Sequence, residues 1–110
     1  MRLQTRLRMM LREAGADEGW WRQVVVIGSK AGQALRMIYH SRAYPEKIKG
    51  YEADLSKHIG DIMVHCYIIA EMLGKPVEQI LDEAVISFRD EMANIVKERE
   101  KEVQTHGRKD

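Results

Sequence analysis

The stretch DLSKHIGDIMVHCYIIAEML, residues 54–73, decides the fold. Leu55, Ile59, Ile62, Cys66, Ile69 and Leu73 recur in it at steps of four and three, the spacing of one face of a helix. A helix is expected from about Tyr51 to Leu73. Gly74 suits the left-handed position just past a helix end, and Pro76 suits the first turn of the next helix. Cys66 falls inside the apolar seam and reads as a small core residue, not a nucleophile. It is the only cysteine, so no intramolecular disulfide can form, which fits a reducing compartment.

The same spacing extends in both directions. Downstream, Val77, Ile80, Leu81, Ala84, Phe88, Met92 and Ile95 mark a fourth helix from Pro76 to about Val103, almost wholly charged beyond Glu98. Upstream, Ser41 to Gly50, with Tyr44-Pro45 inside it, reads as the one substantial loop. Before it a second helix is expected to about His40, with Asp17 as N-cap and Val24, Ile27, Ala31, Ala34, Leu35 and Ile38 as its buried stripe. The strand-like run Val24-Val25-Val26-Ile27 sits inside this helical pattern. Gly28 and Gly32 each cost roughly 1 kcal/mol of helix propensity, so close approach by a neighbouring backbone is expected there. Trp20 and Trp21 read as packing anchors at the helix start. A first helix, about Arg2 to Ala14, carries Leu3, Leu7, Met10 and Leu11 on one face between flanking arginines, and Gly15 closes it.

The expected fold class is all-α: an antiparallel four-helix bundle in a single domain, residues 1–104, followed by a flexible tail at 105–110. At 110 residues the chain is too short for two ordinary domains. Four amphipathic helices of unequal length leave apolar faces over, so a homo-oligomer is expected. The segment Ile59 to Leu73 contains Asp61, His65 and Glu71 and does not span a membrane. The N-terminus lacks the continuous apolar run of a signal peptide, and the cytoplasm is the expected location.

Net charge is +1, which argues for neither nucleic acid nor membrane as partner. Its distribution says more. Residues 1–50 hold ten Lys/Arg and four Asp/Glu, whereas residues 51–110 hold eight and thirteen. Such asymmetry suits halves that face each other within the fold or across subunits, or a first half that binds anions. The arginines Arg2, Arg6, Arg8 and Arg12 have no aromatic residues among them, so nucleic acid is not the expected ligand of the first helix.

Beside the apolar seam of residues 54–73 runs a polar stripe: Asp54, His58, Asp61 and His65, at steps of four, three and four. One helix could present two or three of these to one ion, Asp61, His58 and Asp54 being the candidate metal ligands. The alternative, and the reading expected first, is a polar boundary layer in which each histidine bonds to a neighbouring helix.

The runs Asp54-Leu55-Ser56-Lys57-His58-Ile59-Gly60-Asp61-Ile62, Ala70-Glu71-Met72-Leu73-Gly74-Lys75-Pro76 and Ile80-Leu81-Asp82-Glu83-Ala84 resemble the MazG-like nucleoside triphosphate pyrophosphohydrolases. That family shows a Glu-x-x-Asp helix, a Leu-Gly junction and a helix begun by proline. Gly28-Ser29-Lys30-Ala31-Gly32-Gln33-Ala34 falls where the family carries its Glu-x-x-Glu helix, and the resemblance covers roughly residues 20–95. It implies a helical, oligomeric fold, a homodimer or homotetramer. It also implies a site in which four carboxylates from two helices hold Mg²⁺, which bridges the triphosphate and activates water. Gly32 and Gly60 would let the two helices cross closely.

Carried over by position, the ligand set departs from the family. Lys30 and Gln33 occupy the Glu-x-x-Glu positions, and His58 and Asp61 the Glu-x-x-Asp positions. Only Asp61 keeps its carboxylate, and a hard dication loses most of its compensating charge. The expectation is that the Lys30 ammonium stands in for the metal and pairs with Asp61 across the helix crossing, with Gln33 and His58 completing the hydrogen bonds. Three functional readings follow. One is a MazG-like protein with lost or altered hydrolysis that binds a nucleotide or other phosphorylated small molecule as an oligomeric module. Another is an active metal-dependent pyrophosphohydrolase with a rearranged set such as Glu52, Asp54 and Asp61. The last is an unrelated bundle with a His/Asp metal site, or a nucleic-acid binder acting through the first helix. Whether the chain is an enzyme stays open at this point.

Overall fold

The computed structural model describes residues 1–107. Helices α1 (Leu3–Glu13), α2 (Trp20–Ala43), α3 (Ile48–Met72) and α4 (Val77–Gly107) follow in order, with a 3-10 turn at Pro45–Lys47 between α2 and α3 and no strand among the described residues. The fold is all-α, as the periodicity predicts. The chain divides into two units, residues 1–77 and the helix that continues from residue 78. No described helix is long and apolar enough to cross a membrane.

The expected glycine stops hold in detail. After α1, Gly15 has φ +70, its N–H bonds the Arg12 carbonyl at 2.9 Å, and the Ala16 N–H bonds the Leu11 carbonyl at 3.0 Å. After α3, Gly74 repeats the geometry at φ +70, with Gly74 N–H on the Glu71 carbonyl (3.1 Å) and Lys75 N–H on the Ala70 carbonyl (3.0 Å). Both are Schellman closures, and only glycine takes that φ without steric cost.

The loop expected over Ser41–Gly50 is shorter than its composition suggests. Pro45 disfavours the helical region for the residue before it, and Tyr44 accordingly adopts φ −132, ψ 71, so α2 stops at Ala43. The proline then opens the 3-10 turn, and α3 begins at Ile48 with Gly50 inside it. The reversal therefore occupies four residues. It sets α2 and α3 antiparallel, with their facing positions descending in register from His40–Tyr51 to Gln23–His65.

Asp17 does not cap α2. Its carboxylate accepts hydrogen bonds from Arg12 Nε at 2.9 Å and Arg8 Nε at 3.3 Å, and the helix starts three residues later with no side-chain cap. Two cations outcompete one backbone N–H for a carboxylate. This contact closes the α1–α2 corner and gives Arg8 and Arg12 their role. Trp20 and Trp21 are exposed instead of acting as packing anchors; Trp21 Nε1 donates to the Glu18 carbonyl at 2.9 Å.

The core also differs from expectation. The buried apolar residues are Ile68, Ala70 and Val77, joined by two glutamines, Gln4 at 3% exposure and Gln23 at 1%. Of the α3 seam, Leu55, Ile59, Cys66 and Leu73 are exposed, because α1 and α2 pack on other faces of the helix. Gly28, Gly32 and Gly60 have nothing within 4 Å of where a Cβ would stand, so no neighbouring helix among the described residues approaches them closely. In α4, Leu81, Val85, Phe88 and Ile95 are exposed. The helix continues through Gly107, past the point where a tail is expected, and 108–110 lie outside the described residues.

Gln4 holds the α3–α4 junction. Its Nε2 donates to the Lys75 carbonyl and its Oε1 accepts from the Val77 N–H, both at 2.9 Å. The first free N–H of α4 is thus satisfied by a side chain more than seventy residues away in sequence. Gln4→Ala leaves both backbone groups unpaired and lowers stability by about 1–3 kcal/mol, read from the midpoint of urea unfolding.

Arg12's hydrogen bond, reinforced by Arg8, holds the Asp17 carboxyl below its ordinary pKa in spite of partial desolvation. A carboxyl depressed in this way contributes stability above its unfolded-state pKa and loses it as pH falls through the folded-state value. Asp17→Asn removes that component, so the variant's stability falls less steeply than the wild type's across the acid end of a pH series.

Candidate functional site

Two helical stripes face each other across the α2–α3 pair. On α2, Gln23, Lys30, Gln33, Met37 and His40 follow at steps of seven, three, four and three; on α3 stand Asp54, His58, Asp61 and His65. The hairpin register brings these two rows together, and the apolar rows beside them turn outward. The polar stripe of α3 is therefore its helix-pairing face.

The row is uneven in its bonding. At one end, His65 Nδ1 donates to Gln23 Oε1 at 2.5 Å, a partly buried tie between the two helices. Next, Lys30 Nζ lies 3.3 Å from Asp61 Oδ2, the partnership expected from the sequence. The pair is more open than a metal centre would be, with Lys30 30% and Asp61 50% exposed. Gln33 and His58 do not complete its hydrogen bonds. His58 Nδ1 is instead buried without a hydrogen-bond partner. At the far end, the His40 ring and the Tyr51 hydroxyl are bonded, and His40 stacks at a tilt on Tyr44 with ring centres 4.7 Å apart.

Between the Lys30–Asp61 pair and the His40–Tyr51 contact opens a cleft of about 450 Å³, lined by Gln33, Arg36 and His40 from α2 and Tyr51, Asp54 and His58 from α3. Arg36 is within salt-bridge distance of no carboxylate among the described residues. A guanidinium, an amide and imidazole N–H groups suit a multivalent oxyanion, which accepts hydrogen bonds from such donors, while the Tyr51 hydroxyl is already bonded to His40. Asp54 is the one group on the wall that opposes an anion.

The candidate metal ligands are not assembled. Asp54 and His58 line the cleft, whereas Asp61 is engaged by an ammonium, and no group of three or more His, Cys, Asp or Glu is placed to hold a metal among the described residues. A site with one carboxylate already paired to a lysine does not fit Mg²⁺. The rearranged set is separated too: Glu52 borders a different, mostly apolar hollow with Ala34 and Leu55. Arg36, His40 and Tyr51 are site residues that motif reading passed over. His40 and Arg36 continue the helical spacing of Lys30 and Gln33, a signal present in the sequence. Tyr51 was hidden because the α2–α3 reversal looked longer than it is.

No family model matches the chain, and neither does any curated protein or solved structure.

An ion pair this open contributes little. Lys30→Met and Asp61→Asn each change stability by at most about 1 kcal/mol, and a double-mutant cycle between them gives a coupling of a few tenths, falling with added salt.

Proposed function

We propose that this chain has a MazG-like pyrophosphohydrolase fold whose Mg²⁺-dependent hydrolysis has been lost or altered. It works as an oligomeric module, a homodimer or homotetramer, that binds a nucleotide or another phosphorylated small molecule in the α2–α3 cleft. The observation that carries this reading is the Lys30–Asp61 contact: an ammonium sits 3.3 Å from the one carboxylate retained at the family's metal-ligand positions. A cation supplied by the chain removes the need for a dissolved one to neutralise Asp61, and it removes the electrophile that would activate water. Binding without chemistry is what then remains to the neighbouring Arg36, His40 and His58. The buried, unpartnered His58 Nδ1 supports a ligand there, because an orphaned polar atom costs stability until something meets it.

The oligomer rests on apolar faces the chain leaves open. Leu55, Ile59 and Leu73 on α3 and Leu35 and Ile38 on α2 are exposed, as are Leu81, Val85 and Phe88 on α4. Apolar side chains left open in such numbers favour association with a partner that covers them. A second copy is the partner always present at matching concentration, and it also supplies the close neighbour that Gly28, Gly32 and Gly60 lack within the chain.

Rebuilding the acidic set tests the reading. Lys30→Glu combined with His58→Glu gives the crossing three carboxylates with Asp61, and Mg²⁺ then raises the thermal midpoint of the variant while leaving the wild type unmoved. The wild type releases no pyrophosphate from a panel of nucleoside triphosphates with Mg²⁺ or Mn²⁺, and a nucleotide stabilises it without metal in a manner lost in Arg36→Gln. Pyrophosphate release by the wild type would establish the active enzyme instead, and a rebuilt crossing blind to Mg²⁺ would overturn the family reading.

A further inference from the structure

The α2–α3 reversal gathers a set of polar groups of which the cleft uses only Arg36, His40 and Tyr51. The segment RMIYHSRAYPEKIKGY, residues 36–51, holds three of the chain's four tyrosines and four cations, Arg36, Arg42, Lys47 and Lys49, against one carboxylate, Glu46. Tyr39 and Tyr44 are 62% and 46% exposed. Each carries a cation over its ring, Arg42 at 5.9 Å from the Tyr39 centroid and Lys47 at 5.2 Å from the Tyr44 centroid. None of the four cations lies within salt-bridge distance of a carboxylate among the described residues. The carboxylates that follow on α3, Glu52 and Asp54, belong to the neighbouring hollow and to the cleft wall.

We propose that this tip is a binding surface for single-stranded nucleic acid, with Tyr39 and Tyr44 as stacking faces for bases and Arg42, Lys47 and Lys49 as contacts to the phosphates. The inference goes beyond the cleft, since none of these five residues lines it, and its one link to the cleft is the stacking of Tyr44 on His40. Exposed planar rings interleaved with unpaired cations are what a flexible polyanion with a planar group at every repeat requires. An acidic peptide supplies the charge without the planar faces. A cation over one face of a tyrosine, as Arg42 lies over Tyr39, reinforces both contacts, because it meets the phosphate while the ring's other face meets the base. The net charge of the whole chain hides this, as the tip's excess is cancelled by α3 and α4 carboxylates elsewhere in the sequence.

The test is fluorescence anisotropy with a labelled single-stranded oligonucleotide of about 15 nucleotides, as DNA and as RNA, titrated with the full chain between low and moderate salt. The wild type binds with a log–log salt slope of about −2, from three phosphates neutralised. Tyr39→Ala with Tyr44→Ala weakens binding about tenfold or more and leaves the salt slope unchanged. Arg42→Gln with Lys47→Gln and Lys49→Gln flattens the slope. Arg2→Gln with Arg6→Gln on α1 changes neither, and circular dichroism verifies that each variant keeps its helix content. The proposal is overturned by no anisotropy change at about 100 µM protein in low salt, where even non-specific binding registers. It is equally overturned by tyrosine variants that bind as the wild type does, by loss in the α1 variant, or by poly-glutamate competing as well as an oligonucleotide of equal charge. Loss of nucleotide binding in Arg36→Gln with the oligonucleotide still bound keeps the tip intact while removing the cleft.

Discussion

The constraint on which the rest of unit 1 depends is the register of the α2–α3 hairpin. Pro45 forces Tyr44 out of the helical region, the 3-10 turn follows at once, and a reversal of four residues leaves no slack for the helices to slide. Every facing pair descends from that point: His40 with Tyr51, the Arg36 and Gln33 wall with Asp54 and His58, Lys30 with Asp61, Gln23 with His65. Moving the turn by one residue would rotate α3 by about 100° against α2 and dissolve all of them together. Cleft and tip alike are consequences of where one proline stands.

A hairpin zipped by polar side chains is specific but weakly stabilising. A net hydrogen bond contributes about 1 kcal/mol, and a half-exposed ion pair less. The buried apolar residues, Ile68, Ala70 and Val77, form a small core for a chain of this length. The polar row thus defines which alignment is adopted, while much of the apolar surface that could make the alignment durable points away from it. Stability and register are assigned to different faces of the same helices, and this is how a chain with so much uncovered apolar surface can still hold a defined cleft.

Helix identity was legible because it rests on local physics. The steps of three and four identified all four helices, and Gly15 and Gly74 marked two ends to the residue because the left-handed φ they adopt is a local requirement. Facing was not legible. The seam through Leu55, Ile59 and Cys66 looked like the buried face because it is apolar, yet periodicity says only that a face exists, and α2 chose the stripe beside it. Long-range polar partners were invisible for the same reason. Nothing near Gln4 or Gln23 indicates that each ends up almost wholly buried, because their partners, Val77 and His65, lie far along the chain. Asp17 had a valid local role as a cap, and two arginines on the previous helix took it for another. The Lys30–Asp61 contact was legible only by way of a family pattern, since it joins two helices whose crossing neither sequence stripe specifies alone.

Charge distribution ties the two halves of the molecule to its surface chemistry. Of the four carboxylates in residues 1–50, Asp17 is consumed by Arg8 and Arg12, and Glu18 pairs with Arg22 at 2.8 Å, one turn away. Among the described residues only Lys30–Asp61 links the basic half to the acidic one. Among the described residues, then, ion pairs between the halves do little to neutralise the asymmetry. It survives as a local excess along the end of α2 and the turn, where Arg36, Arg42, Lys47 and Lys49 stand against Glu46 alone, and that is also where the tyrosines cluster. A field of one sign decays over about 8–10 Å at physiological salt, so a carboxylate offsets it locally only when it stands within that distance. A net charge near zero and a surface that attracts anions are compatible in one small protein, provided that the cancelling charges are kept a Debye length apart.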